Sequence, residues 1–336
     1  MPNSIDDKIL TDSLYLNRFD ADQRKRVQLL FSEMRRDLLA ILSDGSVTEF
    51  NKQRINAMIK QADDVINGYY NQAGEQLDIE SLIDHVMTAT QAAIQSTLPI
   101  TLAATLPTVA HMKSIASNVM FEGVPLKSWW AKQSADTRFK FGGIVRQGII
   151  QGQGYNQLIT PVSEMLDISK RNAFGLVHTS IQTVANDARM ASFEENADVI
   201  RCLVHLATLD SHTCPYQCIP RSGKKWTVAE KKPIPPNTFP FKRPPLHFRC
   251  RCVTSAESIY TPEESREGFT RASSIGQLDA KITFDDYLKR VPSSQVEEML
   301  GKGRYELWKS GKMTTAQMLD QTGRELTLKE LRAKYN

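Results

Sequence analysis

The sequence predicts an α+β chain with a predominantly helical N-terminal region, a small β-rich Cys/His module carrying a long Pro-rich loop, and a short helical C-terminal tail. Three observations lead there. Apolar residues recur at spacings of three and four through most of residues 1–165 and again near 168–193. Eight of the fifteen prolines fall between 215 and 245, where a regular helix cannot persist. Four of the five cysteines, with His247, lie in one window of 39 residues from Cys214 to Cys252. The expected organisation is therefore a helical region over 1–165, a core with the Cys/His cluster over 166–257, and a tail of short helices over 258–336.

Within the first region, Val27, Leu30, Met34, Leu38 and Ile41 form one apolar stripe. Asp20, with Gln23 three residues on, is the candidate cap of that helix. A second helical pattern covers roughly 47–72, beginning at Ser46 or Thr48. A third covers 79–95 through Ile79, Leu82, Ile83 and Val86. Pro99, Pro107 and Pro125 punctuate the stretch after residue 95. Residues 128–152 read as a helix, with Trp129 and Trp130 as core or interface residues, and GIIQGQGYNQLI as a glycine-marked turn into the next helix.

The clearest helix spans about 168–193. Phe174, Val177, Ile181, Val184, Ala188 and Ala191 make a heptad-like seam suited to one neighbouring helix. Residues 199–209 are then β-prone and end at Asp210, with Cys202 as a buried strand residue. Val253 and Thr254 are expected to form a closing strand. Beyond Ser258, three pairs have capping-box spacing: Thr283 with Asp286, Ser294 with Glu297, and Thr327 with Glu330. Phe284, Tyr287, Leu288 and Val291 make an apolar face.

Composition bounds the function. With 41% apolar residues the chain has enough to build a core. Its apolar runs stop well short of the roughly 20 residues of a membrane span. The N-terminus MPNSIDDKILTDS lacks the basic start and apolar middle of a secretory signal. The expectation is a soluble protein made in a cytosol and kept reduced, because five cysteines are too few and too uneven for a disulfide framework. Net charge is only +4, but residues 221–251 hold nine Lys/Arg against Glu230 alone. Lys224, Lys225, Lys231, Lys232, Lys242, Arg243, Arg249 and Arg251 are the candidate contacts to nucleic acid or an acidic protein surface. The competing reading is a solvated basic loop.

Zinc needs four tetrahedral ligands, preferably thiolate or imidazole. Cys214 and Cys218 are spaced for one turn to present both sulfurs, and Cys250 and Cys252 for one extended segment to do so. The first ligand set is Cys214, Cys218, Cys250 and Cys252, with His247 in reserve and His212 behind it. An ion there clips the two ends of the Pro-rich loop. Reduced structural cysteines in a small core, or a disulfide formed after release from the cell, are the alternatives. A Cys–His nucleophile drawn from Cys214 with His205 or His247 has no spacing to single it out. The chain carries no G-x-S-x-G elbow, phosphate-binding loop or H-E-x-x-H helix, so no catalytic constellation is assigned.

The order of these features resembles the phage head morphogenesis family, the Mu F-type minor head proteins of tailed bacteriophages. The residues that carry the resemblance are Thr208-Leu209-Asp210, Thr213-Cys214 with Cys218, Pro244-Pro245-Leu246-His247 and Cys250-Arg251-Cys252. The helix RNAFGLVHTSIQTVANDAR and the tail from Phe284 to Leu331 fit as well. The chain departs from the family in the three residues between its first two cysteines and in His178-Thr179-Ser180. The resemblance implies a minor capsid component of the virion interior, assembled in the host cytoplasm. Its implied partners are portal, scaffold, major capsid protein and DNA. A phage-delivered nuclease or transferase toxin, and a host zinc-stabilised nucleic-acid-binding protein, are the alternative functions.

Overall fold

A computed structural model describes residues 5–44, 52–260, 270–279 and 282–335. In chain order the described elements are α1 (Ile5–Asp44), α2 (Lys52–Glu75), α3 (Ile79–Gln95), α4 (Val109–Asn118), β1 (Met120–Phe121), β2 (Val124–Pro125), α5 (Leu126–Ile150) and α6 (Tyr155–Glu195). Then come β3 (Ile200–Leu206), β4 (Lys225–Trp226), β5 (Val253–Ser258), β6 (Thr270–Ser273), β7 (Gly276–Asp279), α7 (Phe284–Leu288), α8 (Ser293–Leu300), α9 (Lys302–Lys309) and α10 (Leu328–Tyr335). The α+β class and the helical N-terminal region are as the sequence predicts. No described helix is long and apolar enough to cross a membrane.

The chain divides into two compact units, each built from discontinuous segments. One comprises Tyr15–Ile79 and Asn118–Ile181; the other comprises Met1–Leu14, Glu80–Ser117 and Gln182–Asn336.

The first unit is helical, with α2 packed along α5. Its centre is aromatic: the Tyr70 ring lies 5.1 Å from Phe31 and 6.4 Å from Trp130, both edge-on. Trp130 is buried, as its core reading requires. The Tyr70 hydroxyl is satisfied by Thr137 Oγ1 at 2.8 Å. The α5–α6 turn falls in the glycine-marked segment, with Gly152 at φ +68°. Gly148 permits the close approach behind it, because a Cβ there would meet Leu158 at 2.2 Å.

The second unit holds a three-stranded antiparallel sheet in the order β4-β3-β5. Leu203 of β3 faces Trp226 on one side and Ala256 on the other. Every residue of β3 except Arg201 is buried, and every residue of β5 is. With both faces covered, neither strand reads as a clean apolar–polar alternation, and His205, Thr254 and Glu257 are buried with the rest. Cys202 is buried in β3, and its sulfur lies 3.3 Å from Glu257 Oε2. A separate core holds the tail: Phe284, Tyr287, Leu288 and Val291 pack with Leu209, Ile219 and Leu246 around the cysteine cluster.

Four local expectations are corrected. Asp20 does not cap a helix; α1 runs through it from Ile5, because Ile5, Ile9 and Leu16 extend the apolar stripe upstream. Asp20 is buried and bonded to Arg24 at 2.8 Å and His178 at 3.4 Å. Ser46 and Thr48 lie outside the described residues, and the second helix starts its described course at Lys52. α6 begins at Tyr155 and carries Pro161 in its second turn, where one lost backbone bond is tolerated. Its seam is not one-sided: between Ala173 and Phe193 all but Phe174, His178 and Asp187 are buried, Ser180, Thr183 and Asn186 included. Finally, Ser294 with Glu297 makes no box, since α8 has Pro292 at its N-cap.

Candidate metal centre

Two turns bring the sulfurs together. In the first, the backbone N–H groups of Cys218 and Ile219 both donate to the Cys214 carbonyl at 3.2 Å. One helical turn thus presents Cys214 and Cys218 on one side, and Pro220 then ends it in a short 3-10 turn, Ile219–Arg221. In the second, the Cys250 N–H donates to the His247 carbonyl at 3.1 Å, with Arg249 in the left-handed region at φ +61°. That φ is uncommon for a residue with a Cβ, and it marks a tight turn held by its surroundings.

The sulfurs of Cys218, Cys250 and Cys252 all lie within 4.8 Å of one another, and the three residues are buried. Cys218 Sγ is 3.7 Å from Cys250 Sγ and 3.2 Å from His247 Nε2. Cys214, half-buried, is hydrogen-bonded to Cys218. The structure therefore makes a three-sulfur centre with Cys214 and His247 at its margin. His212 is exposed. None of the five cysteines is joined in a disulfide.

The donor set fits zinc. Four ligands about 2.3 Å from a tetrahedral zinc are separated by about 3.8 Å, the spacing at which Cys218 and Cys250 stand. His247 Nδ1 faces the Phe248 carbonyl at 2.8 Å, and a carbonyl only accepts, so Nδ1 carries the proton. Nε2 is then the atom directed at the sulfurs, and the one the imidazole would offer an ion once its own proton has left.

The protonation pattern expresses the same crowding. The hydrogen bond from Cys218 holds Cys214 down at about 5, and the same residue is the chief cause holding Cys250 well below the ordinary thiol range. Cys218 itself is pushed up by its bonds to Cys214, Cys250 and Cys252 and by burial. Cys252 goes up too: a hydrogen bond from Cys218 opposes this, but its bond to Cys250 and its burial prevail. His247 rises to about 9, chiefly through its hydrogen bond with Cys250.

The basic segment is less free than its composition suggests. Lys225 pairs with Glu257 at 3.0 Å, Lys231 with Glu194 at 2.7 Å, Arg243 with Asp187, and Arg251 with Asp210 at 2.6 Å. These four acids lie outside residues 221–251 and halve the local excess of positive charge. Asp187 and Glu194 stand seven residues apart on α6, so one helix face tethers the loop at two points. Lys232 pairs with Glu230. Lys242 and Arg249 are exposed and Lys224 half-buried.

Two features of the site were not read from the sequence. Arg221, which its composition groups with the basic loop, is buried; it donates to Gln217 at 2.9 Å and to the Gly323 carbonyl at 3.1 Å. Its pKa is lowered by burial, which the charges of Cys218 and Cys214 oppose. The Asp210–Arg251 pair joins the segment before the first cysteines to the segment between the last two. Asp-x-x-Thr-Cys is a turn signal in hindsight, but nothing local pairs Asp210 with a residue 41 positions away.

A long helix, a buried strand ending at Leu206 rather than at Asp210 as its sequence suggests, and a Pro-rich loop whose two ends converge on sulfur frame the site. Residues 140–255 match the family model described as Phage Mu protein F like protein, and that segment belongs to this family. The match starts within α5 and ends within β5, and the tail lies beyond it. No curated protein and no solved structure matches the chain.

Proposed function

We propose that this chain is a minor capsid component of a tailed phage, built into the head during procapsid assembly near the portal. It acts structurally, without turnover. The observation that carries this reading is the sulfur centre that closes the Pro-rich loop of the family-matched segment. Cys218, whose sulfur lies 3.2 Å from His247 Nε2, is 1% exposed and offers a substrate no approach, which supports a clip rather than a nucleophile.

In this reading Cys218, Cys250 and Cys252 hold zinc, with His247 or Cys214 as fourth ligand. The ion would supply a cross-link between the two turns and add its binding free energy to the stability of a module that the tail already encloses. The clipped loop presents Lys242, Arg249 and Lys224 to DNA or to an acidic portal surface. The protein resides in the host cytoplasm during assembly and inside the capsid afterwards.

Quantitative mass spectrometry of purified particles tests the placement. A few to tens of copies per particle are expected, with loss from emptied particles if the chain leaves with the DNA. Absence from both full and emptied particles would overturn the virion reading.

A further inference from the structure

We infer that Asp210 and Arg251 are positioning residues for the metal centre, acting as one clamp between its two sulfur-bearing turns. The inference rests on the zinc reading of the cluster and names what sets its geometry.

Arg251 lies between Cys250 and Cys252. Its Nη1 donates to Asp210 Oδ2 at 2.6 Å and its Nη2 to Oδ1 at 2.7 Å. Two parallel bonds from a planar guanidinium fix separation and orientation together, which a lysine ammonium does not. The same carboxylate organises the other turn. Asp210 Oδ1 accepts the His212 N–H at 2.9 Å and the Thr213 hydroxyl at 3.2 Å, and Thr213 is directly followed by Cys214. A second strap runs alongside, because Thr208 Oγ1 donates to the Arg251 carbonyl at 3.2 Å. One side chain thereby holds the entry to Cys214 and Cys218 and the segment bearing Cys250 and Cys252. Both partners are partly buried, at 33% and 19% side-chain exposure, so the pair is shielded more than a surface ion pair. Neighbours that orient ligands without touching the ion commonly change metal affinity by about 10–100-fold.

The test uses the full chain, with zinc and cobalt(II) as probes. Arg251→Lys keeps the cation and loses the fork; Asp210→Asn keeps an acceptor for His212 and Thr213 and loses the charge. Thr314→Ala, in the tail, is the control for general destabilisation. Against a chromophoric chelator, wild type and Thr314→Ala are expected to bind one zinc with the same affinity. Arg251→Lys and Asp210→Asn are expected to bind one zinc about 10–100-fold more weakly. Their cobalt d–d bands should shift while the metal-free circular dichroism matches wild type. If wild type takes up no metal, the zinc reading itself fails. If wild type binds and the two clamp variants match it in affinity and cobalt spectrum, the positioning role is wrong. If neither clamp variant folds even with zinc present, the pair serves the fold rather than the site, and the inference is equally overturned.

Discussion

Arg189 is a wholly buried cation in α6, and its counter-charge is Asp12 of α1 at 2.8 Å. Asp12 also receives His85 at 2.8 Å. Burial lowers the arginine pKa and Asp12 opposes that shift. Removing one member of such a pair strands the other, at about 3–5 kcal/mol. Asp12→Ala should therefore lose about that much in urea unfolding, whereas replacing both residues by apolar ones of similar size should cost far less. Equal losses in the single and double variants would refute the pairing argument. Asp187 makes a pH-dependent contribution. Burial raises its carboxyl to about 6, with Arg243 opposing. Because the folded state holds this proton more tightly than an ordinary carboxyl near 3.9 does, the group favours folding below about pH 4. That contribution is lost as pH rises through about 6. Asp187→Asn should flatten the stability difference between pH 4 and pH 7 by on the order of 2–3 kcal/mol. An unchanged pH profile of urea midpoints would show that Asp187 is not the group responsible.

At the scale of elements, legibility depends on how local the cause is. Thr283 and Thr327 read as caps because each signal spans three residues, and both form: Asp286 N–H donates to Thr283 Oγ1 at 3.1 Å, and Thr327 and Glu330 bond reciprocally. Ser294 carries the same spacing and makes no cap, because the N-cap is Pro292, two residues earlier, and the N–H groups of Gln295 and Val296 already donate to the Pro292 carbonyl. The contrast is measurable. Thr327→Ala should lower stability by about 1 kcal/mol, and Ser294→Ala should stay within about 0.5 kcal/mol of wild type. A larger loss from Ser294→Ala than from Thr327→Ala in thermal unfolding would invert the assignment. α6 shows the opposite limit. Its apolar seam is visible in the sequence, but Ser180, Thr183, Asn186 and Ser192 are also buried, and their polarity hides that burial from any hydropathy pattern. Two of them are accommodated by bonds back to the helix or across to the sheet: Ser192 donates to the Ala188 carbonyl at 3.1 Å, and Asn186 accepts from Thr254 N–H at 3.0 Å. Asp285 is an anchor that no local pattern announces: it accepts from Trp308 Nε1 at 2.9 Å and from the Thr315 hydroxyl at 2.6 Å.

At the scale of the molecule, the residue types of the candidate metal centre are legible because cysteine and histidine have few other reasons to cluster. The enclosure around them is not, because it is assembled from the far end of the chain. Composition sets the tail apart from residue 258, yet Tyr287, Leu288, Leu300 and Met318 share one core with Cys218, Cys250 and Cys252. Arg304 of α9 lies over the Tyr216 ring at 4.4 Å, between the first two cysteines, and Arg221 reaches the Gly323 carbonyl. A Cβ at Gly323 would come within 2.7 Å of that guanidinium, so the tail loop is fitted closely against the turn after Cys218. The family match ends at 255 and includes none of this cover. A chain ending at Tyr260 keeps the whole matched segment but exposes Leu209, Ile219, Leu246 and the sulfurs to water, and nothing in that segment replaces the lost apolar contacts. With metal chelated in both samples, the thiols of the full chain at 1–2% exposure should react slowly with a chromogenic disulfide reagent, apart from half-buried Cys214. In the shortened chain Cys218, Cys250 and Cys252 should react at rates close to those in denaturant, and limited proteolysis should cut between 215 and 249. Slow thiols and an uncut loop in the shortened chain would mean that the matched segment encloses its own centre and that the tail is only an attachment.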